Sequence, residues 1–136
     1  NGFIVIEVPL FNSLQSKIAG PGWIHLDPPL HISHFTKKTL VSFLNTFGLK
    51  PIKFQFFSFH VGLLGMVQSL LSIFGYKKML IEELKFRRNA KLLLSVLAIL
   101  PIAFILELIA SFFQRGGVIR LYLKKERLLE NIKYNA

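Results

Sequence analysis

Between Leu92 and Phe113 lie 22 residues interrupted only by Ser95, Pro101, Glu107 and Ser111. As one helix rising 1.5 Å per residue this run is about 33 Å long, enough to match the hydrocarbon core of a bilayer. Bases stand on both flanks, with Arg87, Arg88 and Lys91 before it and Arg115 and Arg120 after it. Positive charge at both ends suits an element whose two ends face the same aqueous side. Glu107, the one acid in the run, needs a partner such as Arg115 or a proton if lipid surrounds it, and faces outward if the run packs inside protein.

The rest of the composition narrows the reading. The 136 residues are 52% hydrophobic and 13% aromatic, contain no cysteine, and carry 17 Lys and Arg against 7 Asp and Glu for a net +10. That excludes a disulfide scaffold, a Cys-ligated metal centre, a thiol nucleophile and a disordered chain. Residues 1–36 hold one base against two acids, whereas 37–136 hold 16 bases against five acids. The densest basic stretch, 77–91, has Phe86 and Tyr76 as its nearest stacking aromatics, so sequence-specific nucleic-acid binding is not expected. High hydropathy combined with positive charge points to an anionic membrane surface, with a solvated charged face as the plainer alternative.

Along the chain, Phe3–Val8 is apolar at successive positions and closes at Pro9, which predicts a strand covered on both faces. From Leu10 to His34 the periodicity vanishes and Gly20, Pro21, Gly22, Pro28 and Pro29 punctuate a long loop. Thr36 predicts a helix cap, with Leu40, Phe43, Leu44 and Phe47 at helical spacing, Gly48 as the stop and Phe35 stapling onto Leu40. The helix is therefore expected over 37–47, followed by a strand over 51–59 with a bulge near Phe56. Leu63, Val67, Leu70, Leu71 and Phe74 mark a further helix from Gly62 to Gly75, and Val118–Leu123 returns to strand character before a charged tail.

These residues carry a resemblance. The Asn1-Gly2 pair before Phe3–Pro9, the succession Trp23-Ile24-His25-Leu26-Asp27-Pro28-Pro29-Leu30-His31, and Phe35-Thr36 leading to Gly48-Leu49 together resemble the C-terminal half of a class I S-adenosylmethionine-dependent methyltransferase, in the broad family acting on small molecules. The likeness spans roughly three fifths of the chain and departs at Leu10, where such families often have Asn. It implies an α/β, Rossmann-like fold in which 3–8, 51–59 and 118–123 are the fifth, sixth and seventh strands, the seventh antiparallel between the other two. It divides the chain into a partial core (1–60), a helical, basic-flanked apolar insertion (61–115), a final core strand (116–125) and a charged tail (126–136). It also places the glycine-rich loop and the other S-adenosylmethionine contacts upstream of Asn1, so that this chain alone is expected to be a fragment, inactive and without cofactor-binding residues.

Strands 51–59 and 118–123 in one sheet cannot lie on opposite sides of a bilayer, because the split sheet's backbone groups would go unpaired. The insertion must therefore leave and return on one side, as a hairpin bent at Pro101 or as helices lying flat, with Leu92, Leu97, Pro101, Phe104, Phe112 and Phe113 meeting lipid and Lys85, Arg87, Arg88, Lys91 and Arg115 meeting headgroups. The plainer alternative is packing against protein.

His31 lies in a Pro-stiffened loop after a strand end, where open α/β sheets bind ligands, and is the candidate general base or acceptor contact; capping the next helix is its plainer role. Trp23, His34 and Phe35 are candidate acceptor-binding residues, Trp23 alternatively anchoring the loop on the core. His25, His31 and His34 with Asp27 match no closed tetrahedral spacing, so no metal is expected. The expected function is the acceptor side of a membrane-associated methyltransferase, peripheral or monotopic at the cytoplasmic face, acting on a small or lipid-like acceptor. The rival is a non-enzymatic basic membrane anchor or interaction protein.

Overall fold

A computed structural model describes residues 2–26, 32–87 and 89–125. The proposed Asn1 turn, His31, Arg88 and the tail 126–136 lie outside the described residues. The chain is mixed α/β, with three strands, β1 (Phe3–Pro9), β2 (Leu49–Gln55) and β3 (Val118–Lys125), in the order β1-β3-β2. The last strand pairs antiparallel with both others, Val8 opposite Ile119 and Phe54 opposite Leu121, which is the central position expected for it.

Alternation along β3 sorts the two faces. Ile119, Leu121 and Leu123 are fully buried and join Leu10, Leu40, Leu44 and Phe56 in a core beneath α2 (Lys37–Asn45). The opposite face carries Arg120, whose guanidinium bonds Glu7 at 2.6 Å, and Tyr122, over which Lys53 lies at 5.4 Å. β1 is not covered on both faces as its apolar run predicts: Phe3, Ile4 and Val5 are 67%, 43% and 53% exposed. Its outer side has no partner among the described residues.

Thr36 caps α2 as expected, its hydroxyl accepting from Thr39 N–H while the Thr39 hydroxyl accepts from Thr36 N–H. The helix stops at Asn45, short of 47, and Gly48 takes a positive φ of 67° in the turn to β2. β2 ends at Gln55 and does not run to 59, because the Phe56 carbonyl accepts from the Ser111 hydroxyl at 3.0 Å instead of continuing the ladder. A Cβ on Gly116 would run into that same carbonyl, so glycine is needed there.

Residues 10–26 are not an irregular loop. They hold a short helix, α1 (Leu14–Ala19), capped by the Ser13 side chain, and two single 3₁₀ turns at Gly20–Gly22 and Ile24–Leu26. Hydrophobic periodicity misses α1 because the helix is short and its one fully buried residue is Gln15, which is polar.

The segment after β2 rises as α3 (Val61–Ile73), turns through α4 (Leu80–Phe86) and returns as α5 (Ala90–Phe112) directly into β3. The bend expected at Pro101 is absent: α5 is one 23-residue helix with Pro101 inside it. Pro101 sits on the exposed side, and the turn of the hairpin falls at 74–89 instead. Leu63, Met66, Val67 and Leu71 of α3 meet Leu92, Val96 and Ala103 of α5 and Leu80 of α4 in a second core, with Leu14 and Ile18 of α1 against it.

Candidate functional site

Three features stand out from this scaffold: a buried polar junction, an aromatic cleft beside the end of β1, and the outer face of α5 with its basic tip.

The junction centres on Glu107, which turns inward. The carboxylate is fully buried, Oε1 accepting from Gly117 N–H at 2.9 Å and Oε2 from Gln15 Nε2 at 2.8 Å. Gln15 also donates to the Gly62 carbonyl. Of the surroundings expected for this acid, the outward-facing one does not hold; it has a partner, but Gln15, 92 residues earlier, meets it in the interior in place of Arg115. Gly62, Gly65 and Gly117 leave room for the two side chains, since a Cβ on any of them would press on Gln15 or Glu107. Burial pushes the Glu107 carboxyl upward from its ordinary 4.5, and the bonds from Gly117 and Gln15 pull it partly back. The junction locks α1, α3, α5 and the start of β3 together and is structural.

The cleft lies where β1 leaves the sheet. Leu10 N–H donates to the Gly117 carbonyl at 3.0 Å and Phe11 N–H to the Phe35 carbonyl at 2.9 Å, which fixes the start of α1 beside the sheet. Phe11, Asn12, Ser16, Lys17, Trp23 and Leu26 then surround a hollow of about 560 Å³. Trp23 is 2% exposed, so it both anchors the segment and forms the cleft's wall. The His34 ring lies 5.8 Å from that of Phe11 and 6.2 Å from that of Trp23. Its Nε2 lies 3.1 Å from the His25 carbonyl, which only accepts, so Nε2 carries a proton there. Phe35 does not line the cleft; it packs under α2 with its ring 5.6 Å from Phe43, the staple position expected for it. Phe11 and Lys17, not marked by the sequence motif, line the cleft because α1 turns them there.

The outer arc of α5 is chiefly apolar. Leu94, Leu97, Ile102, Ile105, Ile109 and Phe112 are 48–84% exposed. At 100° per residue Lys91 falls on the same side as Ile102 and Ile109. Pro101 and Phe104 border this arc, and Phe113 continues it past the helix end at 67% exposure, whereas Leu92 turns inward to the core. Exposed apolar side chains recurring along one side of a helix, unlike ones scattered singly over a surface, mark an interaction face. Among the headgroup candidates, Lys85 stacks over Phe86 at 5.1 Å and Arg87 lies 3.5 Å from Glu83. Arg115 is not grouped with them: it lies past the far end of α5, and the 21 residue steps from Lys91 to Phe112 alone rise about 32 Å.

No protein-family model, no curated protein and no solved structure matches the chain. Among the described residues no three His, Cys, Asp or Glu side chains come together as a metal site.

Proposed function

We propose that the chain is the acceptor-side, C-terminal part of a class I S-adenosylmethionine-dependent methyltransferase held at a membrane surface. The observation that supports this best is the sheet: two parallel strands with the final strand antiparallel between them is the fifth-seventh-sixth order that the sequence resemblance implies. The exposed apolar residues of β1 and its unpaired outer edge suit a strand that continues into a larger parallel sheet.

The residues present do not fit the cofactor. Among the described residues the cleft offers no carboxylate for ribose hydroxyls and no glycine-rich strand-to-helix turn, and Glu7 is engaged by Arg120. No chemical step through the cofactor is derived from them. They do suit an acceptor with an apolar body, because the walls are chiefly Phe11, Trp23, Pro21 and Leu26. Their contribution to transfer is alignment and exclusion of water.

The arc of α5 supplies the membrane part of the reading. α3 spans about 20 Å, too short to carry the chain across a bilayer before α5 returns, so α5 lies along the interface with Lys91 and Arg115 at headgroup level. A second reading, a membrane anchor without chemistry of its own, draws on the same arc.

Protein purified from the cells that make it, incubated with methyl-labelled S-adenosylmethionine and membranes from those cells, tests the proposal. Label is expected in organic-extractable material, and Phe11→Ala should raise KM for the acceptor with cofactor affinity unchanged. Membrane binding without any methyl transfer would favour the anchor.

A further inference from the structure

The aromatic cleft is one end of a longer track. Pro21 borders both it and a second hollow of about 420 Å³ between α1 and the end of α3, lined by Ile18, Gln68, Ser72, Ile73, Tyr76 and Lys77. Tyr76 and Lys77 in turn border a third hollow of about 480 Å³ at the hairpin tip, with Lys78, Glu83, Asn89 and Lys91. Successive hollows thus share wall residues, with Phe11 and Trp23 at one end and Lys77, Lys78 and Lys91 at the other.

The tip is a shaped feature and not a loose spray of lysines. Gln68, buried in α3, donates to the Lys78 carbonyl and accepts from Leu80 N–H, both at 2.8 Å, which fixes the turn bearing Lys77 and Lys78. Glu83, the acid in this hollow, is already engaged by Lys78 at 3.4 Å and Arg87 at 3.5 Å. Among the described residues Lys77 and Lys91 have no ion-pair partner. Three polar atoms of residues lining the track are buried and unpartnered, the Tyr76 hydroxyl beside the lysines and, at the far end, the Trp23 Nε1 and the Asn12 Oδ1.

We infer that this track binds one elongated anionic amphiphile, with a hydrocarbon body against Phe11, Trp23 and Leu26 and a phosphate ester between Lys77 and Lys91. The inference rests on the acceptor reading above and names its substrate class, a lipid-like phosphate. Phosphate is favoured over carboxylate because its several oxygens can meet two separate ammonium groups and the Tyr76 hydroxyl at once.

Trp23 is the one tryptophan of the chain, so its fluorescence reports the apolar end directly. The probes are decyl phosphate below its micelle concentration, decanol, inorganic phosphate, and phosphatidylcholine vesicles with and without phosphatidic acid. Decyl phosphate should shift Trp23 emission saturably, at least about tenfold more tightly than decanol, since only the phosphate makes charge-assisted contacts. Lys77→Gln with Lys91→Gln should abolish that difference and leave decanol binding unchanged, whereas Lys38→Gln, exposed on α2 and lining none of the three hollows, should preserve it. Inorganic phosphate should bind the tip without moving Trp23 emission.

Equal affinity for decyl phosphate and decanol, or indifference to the lysine substitutions, would overturn the inference. So would a response confined to vesicles, which would assign the lysines to surface attraction alone. Methyl transfer is measured separately: saturable decyl phosphate binding without transfer would sink the enzymatic reading while leaving the track intact.

Discussion

Replacing Ile102, Ile105 and Ile109 together with Gln should weaken attachment to an anionic bilayer by about a hundredfold. These side chains are 57%, 56% and 48% exposed, so roughly half of each is available to lipid. Full burial of an isoleucine contributes about 1.5–3 kcal/mol, which leaves about 1 kcal/mol apiece and about 3 kcal/mol for the three. At 1.4 kcal/mol per decade that is about two decades in partitioning, and the cost of desolvating three amides adds to it. Folding should be nearly unaffected, since Gln is a good helix former and exposed substitutions stay within about 0.5 kcal/mol each. Flotation with vesicles of phosphatidylcholine and phosphatidylglycerol, at low and high salt, measures the loss, and circular dichroism checks the fold. A triple variant that floats as well as its parent would refute the interfacial placement of α5. If the parent ignores vesicles yet the variant loses a protein partner or self-association, the arc is a protein interface.

Other consequences follow from particular contacts. Gly116→Ala should cost about 3 kcal/mol in denaturant unfolding, because the new methyl meets the Phe56 carbonyl and that backbone cannot yield. Thr36→Ala should cost about 1 kcal/mol through loss of the α2 cap, read by the same method. Burial raises the Glu107 carboxyl, so the folded form holds its proton more tightly than the unfolded chain does. The stability this confers is complete below the ordinary carboxyl value and is lost as pH rises through the raised one. Unfolding midpoints should therefore fall as pH rises above 4.5 through the raised value, and Glu107→Gln should flatten that decline.

Much of the scaffold is legible in the sequence. Thr36 and the spacing of Leu40 and Leu44 announce α2, and the length of the apolar run announces α5. The central antiparallel place of β3 follows from the resemblance and is what the register shows. The misreadings have specific causes. Pro101 suggests a bend by its missing donor, yet a proline on the exposed side of a long apolar helix is tolerated. Glu107 invites a lipid or solvent role because the sequence cannot show Gln15 arriving opposite it from 92 positions away. The same blindness hides α1, whose one fully buried residue is polar. The cleft was half visible: Trp23 is marked by its motif, whereas Phe11 and Lys17 become wall residues only once α1 exists. Lys77 and Lys91 are plain as charges but not as neighbours, since the hairpin turn held by Gln68 decides which bases share a hollow.

The central claim is that β1, β3 and β2 form one end of a larger parallel sheet. Amide hydrogen exchange along Ile4–Val8 in the native protein tests it most directly, because an edge strand bonds only alternate amides to its single neighbour. If the sheet continues beyond β1, every amide from Ile4 to Val8 is protected to a similar degree. Alternating fast and slow exchange along the strand would show that β1 is a true edge and would contradict the account.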